Sequence, residues 1–126
     1  MSASPQDLMT AKLFFNAAFP TMQVLLDDDP KLHKKFQNFN ATVQFGAMND
    51  GELLCCHLIF QNGNLTVVQG SAEKSDISLT FSSVEKMNSL LKGGLSLPSI
   101  KGNLSLLPNV LSILMGLKIM TKPNDK

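Results

Sequence analysis

Apolar residues in the first third of the chain fall at helical spacing. Pro5 stands where a first helical residue is expected, and the apolar positions after it repeat every three or four residues. Pro20 is expected to end this helix, Thr21 to cap a short second helix, and Asp29 to cap a third. The sequence therefore predicts a helical segment over residues 5–37.

From residue 41 onward the pattern changes to alternation. Residues 41–47, 53–61 and 64–70 place apolar side chains at about every second position, which is the spacing of strands with one buried face. Asn62–Gly63 is the dipeptide most typical of a two-residue hairpin turn. Counting outward from this turn pairs Gln61 with Asn64, followed by three pairs that share the face expected to be buried: Phe60 with Leu65, Leu58 with Val67, and Cys56 with Gln69.

The rest of the chain returns to a mixed pattern. Residues 76–81 alternate again, and Ser82 with Glu85 resembles a capping box at the start of a short helix. A short strand over residues 100–106 leads to a final helix over residues 107–120. Together these elements predict an α+β fold, with a largely antiparallel sheet that helices cover on one face.

The last helix is unusually apolar. No charged residue occurs between Gly102 and Leu117, and only Asn109, Ser112 and Gly116 form a thin polar stripe. Such a helix is buried on several sides or faces something apolar, and this run is shorter than the about 20 residues that span a bilayer. Two interpretations stay open, namely a core helix or dimer contact, and a lid over an apolar cavity.

Composition narrows the range of ligands. The eleven basic residues are all lysine and the net charge is +1, so no guanidinium is present to grip phosphates or guanine edges, and nucleic acid is not an expected partner. Neither Trp nor Tyr occurs, while eight Phe and seven Met supply apolar surface. Adjacent Cys55 and Cys56 would point to opposite faces of a strand, so no disulfide is expected between them.

Four segments together carry a resemblance to a known family. They are the strand of residues 39–47, the hairpin of residues 58–67, residues 76–81 before a short helix, and residues 100–103 before an apolar helix. With them, the chain resembles the sterol carrier protein type 2 family of lipid-binding domains. The resemblance implies a single five-stranded sheet with an apolar tunnel between sheet and helices. It also implies non-catalytic binding or transfer of sterols, fatty acyl chains, phospholipids or similar molecules such as isoprenoids, with no cofactor.

The predicted ligand site lies between the sheet and the helices. Its floor is expected to consist of Phe45, Cys56, Leu58, Val67, Leu79 and Phe81, and its roof of Met87, Leu91, Val110, Leu111, Leu114 and Met115. Burial of ligand methylenes there would supply about 0.8 kcal/mol each. We expect residues 1–126 to form one lipid-binding domain, with the helix of residues 107–120 as its lid.

Rival chemistry has less support in the sequence. Cys55 and His57 are neighbours on one strand face, but no third residue is visible that would orient a Cys–His nucleophile pair. The aspartates at residues 27–29 are better explained by helix capping than by metal binding. The lysines within residues 31–35 indicate a solvated helix face, with transient contact to an anionic membrane as the alternative. We expect neither a catalytic nor a metal site.

A second hypothesis belongs to another class of function. In it the chain is an accessory interaction module, and its apolar last helix docks a partner such as a lipid- or isoprenoid-metabolising enzyme. As for location, the N-terminus lacks a basic segment of the signal-peptide kind, and residues 124–126 are not a peroxisomal tripeptide. A cytoplasmic location is therefore expected.

Overall fold

The protein is described from a computed structural model, which covers residues 3–94 and 96–121, with side chains in the last helix as far as Leu114. The helices are α1 (Pro5–Leu13), a π-helical segment (Phe14–Ala18), α2 (Phe19–Asp28), α3 (Pro30–Phe36), α4 (Val84–Leu91) and α5 (Leu107–Thr121). The strands are β1 (Ala41–Asn49), β2 (Glu52–Gln61), β3 (Asn64–Gln69), β4 (Ile77–Phe81) and β5 (Ser99–Gly102). The N-terminal helices span residues 5–36, against a predicted range of 5–37. The last helix spans Leu107–Thr121, against a predicted range of 107–120.

The first helix does not end at Pro20, so that prediction is wrong. The π-helical segment joins α1 to α2, and the Phe19 amide donates to the Phe14 carbonyl five residues back. Because this wide turn comes just before Pro20, the missing amide and the ring of the proline are tolerated at the second position of α2. The Thr21 hydroxyl caps nothing and instead donates to the Ala17 carbonyl at 2.7 Å.

The starts of α3 and α4 test two further predicted caps. The Asp29 carboxylate accepts from the Lys31 amide at 3.0 Å, which confirms the predicted cap of α3. On α4 the cap is Ser83 rather than Ser82, because the Ser83 hydroxyl accepts from the Lys86 amide at 3.2 Å. The predicted capping box was therefore placed one residue too early.

The five strands form one sheet in the order β3-β2-β1-β4-β5. β1 and β4 run parallel, while the other three neighbouring pairs are antiparallel. The hairpin register predicted from Asn62–Gly63 is confirmed at all four pairs, from Gln61 with Asn64 to Cys56 with Gln69. Both turn residues have positive φ, 52° and 86°, which is the backbone that this dipeptide favours. The prediction of an α+β fold with a largely antiparallel sheet is confirmed.

Strand β5 is shorter than the predicted range of 100–106. It ends at Gly102, and residues 104–106 form a 3-10 turn before α5. The Asn103 carboxamide oxygen accepts from the Ser105 amide at 3.1 Å and so starts that turn. A local side-chain bond of this kind competes with the strand ladder, which explains why apolar alternation extended the prediction too far.

Helices cover one sheet face, while the connection from β3 to β4 crosses the other. Helix α2 packs against β3, α4 packs against β1 and β4, and α5 lies against α2, α4 and the π-helical segment. On the opposite face, residues 70–76 pass behind β2 and β1 to reach β4. The Ala72 amide donates to the Gln44 carboxamide oxygen there at 2.9 Å, and the Gly70 amide donates to the Cys55 carbonyl at 3.0 Å.

Candidate functional site

The predicted floor residues lie together on the helix-covered face of the sheet. Phe45 of β1 stands in register between Cys56 of β2 and Leu79 of β4. Leu58 and Phe81 flank this row, and all five of these side chains are at most 3% exposed. Val67, the sixth floor residue, is half-buried and packs against the same core from strand β3. Whether any of them contacts a ligand stays a prediction.

The predicted roof residues do not form one surface. Met87 and Leu91 of α4 are fully buried, Val110 of α5 is 1% exposed, and Leu114 is half-buried against the core. Leu111 lies on the outer side of α5, 58% exposed, and does not face the floor. The side chain of Met115 lies outside the described residues.

The inward position that the roof prediction missed is Ile113, which is 1% exposed. It stands three residues after Val110 and one before Leu114, which places these three side chains on one helix face. Because α5 is apolar on nearly all sides, its sequence alone did not distinguish this inward face from the outward face that carries Leu111.

Phenylalanines from the N-terminal helices occupy the space above the floor. Phe19 is fully buried, and its ring is stacked on that of Phe45 with centroids 5.5 Å apart. Phe15 stands one turn earlier, with a ring centroid 6.4 Å from that of Phe19. The first helical layer over the floor is therefore α1–α2 together with α4. The spacing of Phe15 and Phe19 in the sequence was the available signal for this.

A small enclosed space remains between the layers, here called the inner cavity. Its volume is about 40 Å³, and its walls are apolar apart from Ser112: Met22, Leu25, Leu26, Leu32, Phe36, Phe60, Ser112 and Ile113. Ligand pockets for molecules of drug size are typically about 300–1,000 Å³. In the described state the inner cavity is therefore too small for an acyl chain.

An apolar groove of ligand size lies along the N-terminal helices. Its volume is about 690 Å³, and it is lined by Thr10, Leu13, Phe14, Ala17, Ala18, Thr21, Leu25 and Lys92. Leu25 lines both this groove and the inner cavity, so the two spaces adjoin at this residue. Helix α5 contacts the π-helical segment, α2 and α4, which are the elements that border the groove. The groove, its Leu25 wall and α5 form the candidate site.

Cys55 and His57, on the opposite sheet face, bond to the crossing loop. The Cys55 sulfur lies 3.2 Å from the Ser71 hydroxyl, and the His57 Nδ1 lies 2.9 Å from the Gly70 carbonyl oxygen. Since that oxygen only accepts, Nδ1 carries the proton and the ring anchors the loop. Burial, with a smaller contribution from Cys55, raises the pKa of Cys56 to about 12, which keeps this thiol protonated and unreactive at neutral pH.

The aspartates of residues 27–29 and the lysines of residues 31–35 were the other candidate groups in the sequence. Among residues 3–94 and 96–121, no group of three or more His, Cys, Asp or Glu side chains is placed to hold a metal ion. Asp29 caps α3, and Lys31, Lys34 and Lys35 are exposed on that helix. None of the helices within the same range is both long and apolar enough to cross a membrane.

These observations define a two-layer α+β domain with an apolar groove beside an apolar terminal helix. No model of a protein family matches the sequence, and no curated protein matches it. Solved structures do match. The sterol carrier protein domain 2 of Helicoverpa armigera is 19% identical, with a TM-score of 0.62 over 98% of this chain and 99% of that one.

Two further structures show the same likeness. The apo form of Sterol Carrier Protein 2 from Yarrowia lipolytica is 20% identical, with a TM-score of 0.60 over 84% of this chain and 93% of that one. UbiJ-SCP2, described as a ubiquinone synthesis protein, is 13% identical, with a TM-score of 0.55 over 89% and 97%. The chain therefore has the fold of the sterol carrier protein 2 domain, and the resemblance inferred from its sequence is confirmed at the level of the fold.

Proposed function

We propose that this protein binds and carries a hydrophobic ligand, without catalysis, in the apolar groove along α1 and α2. The ligand class is a molecule with a long apolar portion, such as a fatty acyl chain, a phospholipid, an isoprenoid or a sterol. The observation that carries the proposal is the groove itself, which combines ligand size with a lining in which five of the eight side chains are apolar. The sterol carrier protein 2 fold supports it.

The groove replaces the predicted floor as the primary contact surface. Phe19 covers Phe45, so a chain could reach the floor only if the N-terminal helices moved. The groove needs no such movement. Each ligand methylene buried there contributes about 0.8 kcal/mol, so eight methylenes supply roughly 6 kcal/mol before the cost of association.

Helix α5 serves as the lid in this proposal. Leu25 lines both the groove and the inner cavity, and Ile113 of α5 also lines that cavity. A small outward shift of α5, together with a new rotamer of Leu25, would merge the two spaces into one longer channel. Such a lid lets a carrier enclose cargo and later release it.

The first experiment is native mass spectrometry of the purified protein, followed by solvent extraction of any bound molecule. A co-purifying lipid would support the proposal and identify the cargo. In addition, titration with cis-parinaric acid, a naturally fluorescent fatty acid, should give saturable binding. A ligand-free protein that also fails to bind this probe and a fluorescent sterol would overturn the proposal.

Two neighbouring exposed positions on α1 provide a matched pair of variants. Leu13 is 58% exposed and lines the groove, whereas Met9 is 64% exposed and is not among the lining residues. We expect Leu13→Glu to weaken binding of cis-parinaric acid about tenfold or more, because a carboxylate would be desolvated against the acyl chain. Met9→Glu adds the same charge one turn away and should bind normally. Equal affinities of the two variants would exclude the groove.

A second candidate function is docking to a partner protein. Leu97 is 92% exposed, and Leu104 and Leu111 are 58–59% exposed, so the chain segment around β5 and the start of α5 presents large apolar side chains to solvent. The likeness to UbiJ-SCP2 favours a partner in lipid or isoprenoid metabolism. The native mass spectra distinguish the two functions: a protein without lipid that self-associates as its concentration rises would favour docking.

A further inference from the structure

A second recess adjoins the apolar groove and is polar in character. It has a volume of about 530 Å³ and is lined by Asp7 of α1 and, on α4 and its end, by Glu85, Asn88, Ser89 and Lys92, followed by Gly93 and Gly94. We call it the polar recess. It shares Lys92 with the groove, and Asp7 stands one helical turn before Thr10 of the groove. The two spaces therefore follow one another along α1.

Asn88 gives the polar recess an unsatisfied acceptor. The residue is 2% exposed, and its Nδ2 donates to the Asp7 carbonyl oxygen at 2.9 Å. This bond fixes the orientation of the amide, because a rotated amide would point Oδ1 at that carbonyl oxygen. Oδ1 is buried and has no hydrogen-bond partner among the described residues. A buried acceptor in this state is costly, so a ligand donor that reached it would be stabilising.

The charges around the polar recess indicate which donor fits. Asp7 and Glu85 contribute two carboxylates to the lining, of which that of Asp7 also accepts from the Ser4 hydroxyl at 3.1 Å, and Lys92 contributes one ammonium group where the recess meets the groove. An external ammonium would satisfy the acceptor and complement the carboxylates, whereas a hydroxyl would leave their charge uncompensated. An anionic group of the same ligand would then lie next to Lys92.

We propose that the polar recess binds the zwitterionic headgroup of a lipid that carries a primary ammonium, while the acyl chain of that lipid lies in the apolar groove. The order of groups along the ligand matches the order along the protein, since the phosphate of such a lipid stands between chain and amine, as Lys92 stands between groove and carboxylates. This inference rests on the function proposed above and specifies its ligand class.

The test compares two ligands that differ only at the nitrogen. Lysophosphatidylethanolamine and lysophosphatidylcholine with the same acyl chain, below their micelle concentrations, are titrated against protein loaded with cis-parinaric acid. Only the first has N–H donors. We expect it to compete at about tenfold lower concentration, the difference that a hydrogen bond to a charged group typically supplies. Equal competition, or failure of both lysolipids to displace bound probe, overturns the headgroup inference and leaves the carrier function standing.

Variants assign the preference to the polar recess. Glu85→Gln removes one exposed carboxylate, so it should weaken binding of both lysolipids, and it should also reduce the preference for the ethanolamine lipid several-fold, because only that lipid donates N–H bonds to the carboxylate. Asn88→Leu removes the buried acceptor and should reduce this preference too, with affinity for the choline lipid unchanged because no charge is lost. Glu73→Gln, at an exposed position in the loop before β4, is the control. A preference that persists in both recess variants would contradict the assignment. Loss of cis-parinaric acid binding in the unmodified protein would instead overturn the carrier function and this inference together.

Discussion

Replacing Phe19 by alanine should cost about 3–5 kcal/mol of unfolding free energy. Phe19 has no exposed surface, and its ring lies between those of Phe15 and Phe45. Removing the ring leaves a cavity in the layer between sheet and helices, which a close-packed core fills only in part. Urea denaturation followed by circular dichroism measures the loss. Val24→Ala, at a position that is 54% exposed in the same helix, is the control and should change stability by less than about 0.5 kcal/mol.

A double-mutant cycle with Phe45 tests the stacking itself. The centroids of the two rings are 5.5 Å apart with an interplanar angle of 30°, so Phe19→Ala and Phe45→Ala should be coupled by about 0.5–1.5 kcal/mol. Additive single losses would mean that the rings do not interact. A loss for Phe19→Ala as small as that of Val24→Ala would refute the packing argument altogether, including the conclusion that α2 covers the predicted floor.

Two further predictions concern the sheet. Burial raises the pKa of Cys56 from 9.0 to about 12, so the unfolded chain loses this proton at a lower pH than the folded chain. The free energy of unfolding should therefore fall by up to about 1.4 kcal/mol per pH unit between pH 9 and 12. In denaturation measured across this range, Cys56→Ala should lessen that slope. Gly63→Ala should lose more stability than Gly51→Ala, by roughly 1 kcal/mol. Both glycines have positive φ, but only a Cβ at Gly63 would approach another side chain, the His33 ring at 2.7 Å. Equal thermal shifts of the two variants would contradict this.

The sheet could be predicted from sequence because its determinants are local. Alternation at Val43, Phe45 and Ala47 identified β1 and its buried face, and Asn62–Gly63 fixed the register of the β2–β3 hairpin to the residue. The parallel pairing of β1 with β4 is different. It depends on the loop that crosses the sheet through the contacts of Gln44, Cys55 and His57, and such bonds leave no periodic signal.

The candidate site could be predicted only in part, because it depends on how the helices stack. Alternation correctly placed Phe45 and Leu79 on the covered face, but it does not say which helix covers them. The apolar last helix was predicted to be that cover. In the structure Phe19 takes the position above the floor, and helix propensity rules gave no reason to expect a continuous helix through Pro20.

The π-helical segment explains why the helix continues through Pro20, and it also shapes the candidate site. By inserting a wide turn before Pro20, it lets one continuous helix present Phe15 and Phe19 to the sheet while Ala17 stays exposed along the groove. Had the helix ended at Pro20, the direction of α2 relative to α1 would not be fixed. A groove running from Thr10 to Leu25 would then not follow from the sequence. The small side chains of Ala17 and Ala18 then leave the groove open, since larger residues there would fill it. One turn of helix therefore contributes to both core packing and the candidate site. Phe15 and Phe19 on its inner side pack in the core, while the small side chains on its outer side leave the groove open.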